Sequence, residues 1–307
     1  MVYMLFEKRN FILLLWYYKY IISIGEGKMM IDLHMHSTFS DGTDSVEELL
    51  QNVRRSGITY FSLTDHDTIE GARAMEELVP DDMTFIRGIE FSSITDVGKC
   101  HILGYGCDWN NKGFLDLLEE GNVKRRNKLE KRILFLHDEY GIDIEEEQLA
   151  KLRAMKSVGK PHLGNLLVAM GLSDNKDEAI EKYINPCKTE SDRIDGRKVI
   201  KAILSSGGIP VWAHPLGGTG ESEKTHEYVE KQLEVLMGAG IKGLECYYSR
   251  YTMAQVKLLV ELAKKNGLYI SGGSDYHGKN KTVMLGELNA EDVSVTSDML
   301  TVLKALK

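Results

Sequence analysis

The sequence predicts an α/β barrel of seven strands interrupted by an all-helical insertion. Three observations carry that expectation. Short apolar or β-branched segments alternate with helical patterns, the alternation stops once between residues 112 and 190, and polar clusters sit where apolar runs end. Strand–helix alternation indicates a largely parallel sheet, closed or nearly closed by its crossovers. At 307 residues the chain is long enough for one barrel of roughly 250 residues.

The predicted strands are about Met30–Met35, Tyr60–Thr64, Thr84–Glu90, Cys100–Tyr105, Ile209–Ala213, Gly243–Tyr247 and Leu268–Gly272, each bounded by turn residues. Helical patterns between them include Ser45–Arg55, Gly196–Ser205, Lys224–Met237 and Met253–Lys265. Seven such units suggest seven strands rather than eight. From about Lys112 to Glu190 only helical periodicity appears. Leu129, Ile133 and Leu136 recur at helical spacing with Gly141 as a stop signal, and Pro161 opens a helix that Gly171 ends. The domain map is therefore an N-terminal extension (1–29), a first part of the barrel (30–110), a helical cap (111–191) and a second part of the barrel (192–307).

Composition narrows the class. A content of 43% hydrophobic and 27% charged residues reads as a soluble globular protein with a sizeable core. A net charge of -8 argues against a general nucleic-acid binder, although bound divalent cations can reverse the local sign of an acidic site. Cys100, Cys107, Cys187 and Cys246 form no C-x-x-C pair and read as reduced thiols of a cytoplasmic protein. In the extension, Phe11–Trp16 is apolar but is followed by Tyr17, Tyr18, Lys19 and Tyr20. That is short of the about 20 apolar residues a bilayer needs. Lys8 and Arg9 mimic a signal-peptide start, but no small-x-small cleavage site follows. The preferred reading is an upstream extension, as a misassigned start codon would give, with the domain beginning at Met30; a peripheral membrane anchor is the alternative.

The first strand ends in Asp32-Leu33-His34-Met35-His36, and alternation along a strand puts His34 and His36 on one face. Asp41 follows in Ser40-Asp41-Gly42. The second strand ends in Thr64-Asp65-His66-Asp67, with His66 the candidate ligand, Asp65 a supporting residue and Asp67 a cap for a helix starting near Thr68. The third and fourth strands end in Gly88-Ile89-Glu90 and Cys100-His101, the fifth in Trp212-Ala213-His214-Pro215, and the seventh in Ser274-Asp275-Tyr276-His277. Taken singly, Glu90 could be a solvated acid and His101 a satisfied core histidine. Together, six of the nine histidines follow apolar runs, at the barrel mouth where (β/α) active sites lie. Mixed histidine and carboxylate donors suit Zn, Mn or Fe rather than Mg or Ca. Nine donors are too many for one ion and enough for two or three, with Glu90 placed to bridge.

This set of motifs resembles the PHP (polymerase and histidinol phosphatase) superfamily, from Met30 to the C-terminus. The resemblance implies a distorted seven-stranded barrel and a trinuclear site. It implies His34, His36, Glu90 and Asp275 on one ion, Glu90, His101 and His214 on a second, and Asp41, His66 and His277 on a third. The insertion is similar to the cap of stand-alone PHP phosphatases acting on AMP or nucleoside 3′,5′-bisphosphates, some of which trim RNA from the 5′ end. Their basic helix and Gly-(Arg/Lys)-Pro-His element are matched by Arg125-Arg126-Asn127 and Gly159-Lys160-Pro161-His162. Arg126 falls on the stripe of Leu129, Ile133 and Leu136, where a cation wants an anionic partner. Lys160 beside a proline-started helix makes an anion site. Arg126, Asn127, Lys160 and His162 are therefore the expected substrate contacts.

The expected activity is metal-dependent hydrolysis of a nucleotide phosphomonoester by two or three Mn, Fe or Zn ions. The expected partners are a small phosphorylated substrate or short RNA, and neither duplex DNA nor a membrane. The alternatives are a histidinol phosphate phosphatase, a polymerase-associated type of nuclease, or a non-catalytic metal-binding module, which lost ligands would mark.

Overall fold

The computed structural model describes residues 30–306. The expectations for residues 1–29 fall outside them. Eight strands form one sheet: β1 (Met30–Asp32), β2 (Ile58–Leu63), β3 (Thr84–Ile94), β4 (Lys99–Tyr105), β5 (Ile194–Asp195), β6 (Ile209–Ala213), β7 (Gly243–Tyr248) and β8 (Tyr269–Gly273). Seven of them follow the path β1-β2-β3-β4-β6-β7-β8, while the two-residue β5 pairs beside β3. The ends of the path meet. Leu33 N–H donates to the Gly272 carbonyl at 3.3 Å and Asp275 N–H to that of His34 at 2.8 Å. A Cβ on Gly273 would collide with the His34 backbone and Cβ, so glycine there is what lets β8 approach β1. The barrel is nearly closed.

The expectation of a largely parallel sheet needs one correction. β4 runs antiparallel to both of its neighbours, β3 and β6. Residues 95–98 join β3 to β4 in a tight turn, in which Thr95 N–H donates to the Gly98 carbonyl at 2.9 Å. So short a connection makes a hairpin, whereas a parallel crossover needs a dozen or more residues.

Outside the sheet lie α1 (Val46–Arg55), α2 (Glu70–Leu78), α7 (Gly196–Ser205), α8 (His226–Ala239) and α9 (Met253–Lys265). α1 shows why such segments fold as they do. Val46, Leu49 and Val53 share one buried face, and Ser45 and Glu48 form a reciprocal capping box at its start. The insertion contains α3 (Lys112–Tyr140), α4 (Glu146–Ala154), α5 (Lys160–Ala169) and α6 (Lys176–Ala179), the last running into a wide turn over Ile180–Ile184. No strand interrupts residues 112–190, as the periodicity predicts. Gly159 stands at the N-terminus of α5 ahead of Pro161, and Gly141 and Gly171 both take positive φ where the preceding helices stop.

Two hydrophobic cores result, and α3 belongs to both. Phe114, Leu117 and Leu118 pack into the barrel core, whereas Leu129 and Leu136 join Leu152, Leu163, Leu167 and Ile184 in a separate cap core. Among the described residues, no helix is long and apolar enough to cross a membrane, and all four cysteines are free.

Candidate metal centre and cleft

One end of the barrel gathers the donors. His34 and His36 lie just beyond β1, His66 beyond β2, His214 beyond β6, and Asp275 and His277 beyond β8. Glu90 lies within β3, which runs four residues further than predicted, to Ile94. His101 stands near the beginning of β4 and not at its end. Because β4 is antiparallel, that beginning faces the same mouth, with His101 in register with Ser92.

The donor atoms converge. His34 Nε2 and His36 Nε2 are 3.2 Å apart, each 3.3 Å from Glu90 Oε2, and 3.5 and 3.4 Å from Asp275 Oδ1. On the other side of Glu90, Oε1 is 3.1 Å from both His101 Nδ1 and His214 Nε2. His277 Nε2 is 3.1 Å from Asp41 Oδ1, and His66 Nε2 is 4.0 Å from Asp41 Oδ2. His66 also faces the middle group, with Nδ1 3.0 Å from Glu90 Oε2. All nine residues expected from the sequence are thus brought together around the Glu90 carboxylate. Three groups offer donor atoms mutually within 4.8 Å: His34, His36, Glu90 and Asp275; His36, Asp41, His66 and His277; and His66, Glu90 and His101.

A cleft of about 450 Å³ opens over this cluster. Its floor includes Asp41, His66 and His101, and its cap side carries Arg125, Lys128, Arg132, Lys160 and His162. Two expected contacts do not line it. Arg126 points away and pairs with Glu119 at 2.6 Å on an exposed face, and Asn127 is exposed. Instead, Arg125, Lys128 and Arg132 share the inward face of α3, at i, i+3 and i+7. Leu129 and Leu136 pack in the cap core with Arg125 and Arg132 at their cleft-side edge, whereas Arg126 lies past them on the far side, beyond Ile133. Asp67 does not cap a helix either. α2 starts at Glu70 with Ile69 at its N-cap, and Asp67 accepts from Ser92 N–H at 2.8 Å and from the Arg125 guanidinium.

Residues 32–185 match the PHP domain. The chain belongs to the PHP domain family. It is 30% identical to the phosphoribosyl 1,2-cyclic phosphate 1,2-diphosphodiesterase of Eggerthella lenta, over 82% of this chain and 95% of that protein. It is also 30% identical to a 5′-3′ exoribonuclease of Haemophilus influenzae, over 83% of this chain and 93% of that one. A 3′,5′-nucleoside bisphosphate phosphatase of Chromobacterium violaceum is 25% identical over 88% and 92% of the two chains. The resemblance drawn from the motifs is therefore correct, and the protein is a PHP phosphoesterase.

The donor set of this PHP phosphoesterase fits metal ions on its own chemistry. Asp41 Oδ1, Glu90 Oε2 and His66 Nδ1 are buried without a hydrogen bond of acceptable geometry, although the last two lie close together. Donor atoms that converge without hydrogen-bonding one another suit a cation between them. The carboxylates and histidines shift one another's charge strongly. Burial opposes ionisation of Glu90, but His34, His66 and His101 outweigh it and hold the carboxyl well below its usual range. Burial likewise works against a charged His36, yet the Asp275 and Glu90 carboxylates beside it raise that ring to about 9. Burial pushes His101 down to about 3 and His277 down to about 4.

Several residues that shape the site were not singled out from the sequence. Glu245, buried in β7, accepts from His34 Nδ1 and from the His214 backbone N–H, each at 2.8 Å. A donated Nδ1 proton leaves His34 Nε2 free as a metal donor. Tyr248 donates to Asp275 Oδ2 at 2.8 Å, and Lys281 Nζ is 2.6 Å from the same oxygen. Asp65 acts as the sequence suggests, accepting from Ser37 N–H and from the Ser37 and Ser40 hydroxyls, which ties the Asp41 loop down. Asp67, His214 and Asp275 take φ of 52°, 31° and 59°, a region L-residues seldom occupy. Such backbone strain persists where surrounding contacts hold it, as at functional sites.

Proposed function

We propose that this PHP phosphoesterase hydrolyses a phosphomonoester of a nucleotide, AMP or a nucleoside 3′,5′-bisphosphate. The observation that carries this reading is the cleft with metal-type donors on its floor and cations on its cap side. Two or three Mn, Fe or Zn ions would be held by His34, His36, Glu90 and Asp275, by Glu90, His101 and His214, and by Asp41, His66 and His277. Bound there, divalent metals supply Lewis acidity at a phosphoryl oxygen and lower the pKa of water for in-line attack.

The chain's own residues do the remaining work. Arg125, anchored to Asp67 and Ser92, presents a fixed positive edge beside the donors. Lys128 and Lys160 add charge on the cap side, and His162 braces the α5 entrance by accepting from Gly159 N–H at 3.1 Å. A substrate with one phosphate on the floor therefore meets cations with its remaining parts, which favours a nucleotide over a small alcohol phosphate. Of the relatives' names, that of the 3′,5′-nucleoside bisphosphate phosphatase supports this class, while the other two name a cyclic phosphate diphosphodiesterase and an exoribonuclease.

The test is a rate panel for the Mn-loaded full chain. AMP, adenosine 3′,5′-bisphosphate, 5′-phosphorylated short RNA, phosphoribosyl 1,2-cyclic phosphate and histidinol phosphate would be compared by kcat/KM. The reading expects a mononucleotide monoester to lead. Preference for the RNA or the cyclic ester would move the assignment to the activity of the corresponding relative. Preference for histidinol phosphate would overturn it.

A further inference from the structure

Of the nine donors, Asp41 lies furthest along the chain from a strand. Its side chain is also the most exposed of the nine, at 24%. It rides on a loop that folds back over the end of β1, where a Cβ on Gly42 would collide with the His36 carbonyl. Asp65 secures that loop at Ser37 and Ser40 but makes no bond to Asp41 itself. A donor so placed gains no fixed position from strand register and has to be held from outside.

The hold comes from the loop after β8. Asn280 Nδ2 donates to the Asp41 carbonyl at 2.7 Å, across 239 residues of chain. The backbone N–H groups of Asn280 and Thr43 both donate to the His277 carbonyl, at 3.3 and 3.2 Å. Asn280 therefore joins the two loops that bring Asp41 Oδ1 within 3.1 Å of His277 Nε2. The other end of its amide is taken by the cap. Lys176 Nζ, at the start of α6, donates to Asn280 Oδ1 at 3.3 Å. An ammonium can only donate and a backbone carbonyl only accept, so the amide lies one way between them. Lys176 is itself well seated. α6 rests on Gly164 of α5, where a Cβ would come 3.2 Å from the Lys176 carbonyl, and Ala179 and Ile184 are buried in the cap core. Two hydrogen bonds in series thus run from the cap to the backbone of a metal donor.

We infer that Asn280 is a positioning residue for Asp41 and that Lys176 clamps it, so that the cap helps to hold the ion of Asp41, His66 and His277. This rests on the proposed sharing of donors among the ions and is independent of which phosphate ester is cleaved. Calorimetric titration of the metal-stripped full chain with Mn²⁺ tests it, with bound metal counted by elemental analysis. Asp41→Asn marks the ion that Asp41 holds. Asn280→Leu keeps the volume and removes the amide, and should weaken that same ion by about 10- to 100-fold while the others stay within about twofold. Asn280→Gln keeps an amide and should recover part of the loss. Lys176→Met leaves the amide without its clamp and should weaken the ion by about 2- to 5-fold.

Wild-type binding by Asn280→Leu would reduce the residue to filler between two loops and overturn the inference, as would equal weakening of every ion. An unchanged isotherm for Lys176→Met would overturn the cap's part in it, and that variant decides the matter if the Asn280 variants do not fold. The donor assignment is checked separately. If Asp41→Asn binds metal as the wild type does, that assignment has failed and the positioning role falls with it. An ion lost in Asp41→Asn but kept in Asn280→Leu would refute the positioning role alone.

Discussion

Replacing Glu245 with glutamine removes one formal charge and almost no volume, and should reach the metal centre through His34. Both carboxylate oxygens are committed, one to the His34 ring and one to the His214 backbone N–H, at 2.8 Å each with no exposure to solvent. Glutamine offers one oxygen and one NH₂, so in either orientation a donor faces a donor. Leaving a buried donor unsatisfied costs about 1–3 kcal/mol. If His34 turns to escape, Nε2 leaves its place 3.3 Å from Glu90 and 3.5 Å from Asp275. Loss of such an orienting partner lowers metal affinity about 10- to 100-fold, or roughly 1.4–2.7 kcal/mol, so the two estimates agree. Titrating the metal-stripped variant with Mn²⁺ should move half-maximal activity up by that factor, with kcat at saturating Mn²⁺ within about threefold of wild type. An unchanged titration midpoint would refute the reasoning. A loss of kcat that no amount of metal restores would assign Glu245 a different role.

Further outcomes follow from the same geometry. Chelation should end hydrolysis, and elemental analysis of active protein should find two or three transition-metal equivalents; one ion or none would contradict the shared Glu90. His36→Ala or Asp275→Ala should lower turnover by at least about 100-fold with a largely native circular dichroism spectrum, since each removes a donor rather than apolar packing. Arg126→Ala should leave kcat/KM within about twofold, because its exposed pair with Glu119 is worth little, whereas Arg125→Ala should lower it by about 10-fold or more. A chain beginning at Met30 should hydrolyse as the full chain does, because β1 starts there and all nine donors follow; an insoluble or inactive product would give residues 1–29 a structural role.

How much of this was legible in the sequence depended on which kind of order carried it. His34 and His36 could be paired because a strand repeats every two residues, and His66 and His214 stood out as polar residues at the end of apolar runs. The direction of β4 could not be read, since Cys100–Tyr105 shows the same alternation in either sense; only the turn at 95–98, short but free of a strong turn dipeptide, hinted at a hairpin. Helical periodicity sorted α3 into stripes without saying which stripe faced the barrel. That phase is set by Arg125 reaching Asp67, 58 residues earlier, a contact that the spacing of Leu129, Ile133 and Leu136 does not contain. Glu245 does carry a signal in the sequence, a carboxylate inside an otherwise apolar strand. Its meaning lies in a contact with His34 across 211 residues of chain.

The double membership of α3 has a mechanical consequence. A 29-residue helix is about 44 Å long, and here one rod is embedded in the barrel core at one end and in the cap core at the other. A lid hung on flexible loops swings on its own, but this cap is cantilevered from the barrel by a continuous hydrogen-bonded shaft. Tilting it means bending the shaft or dislodging Phe114, Leu117 and Leu118 from their seats. The gap between floor and roof is therefore a stiff dimension. The same rod joins the two cores into one melting unit, because unwinding its middle strips packing from both at once.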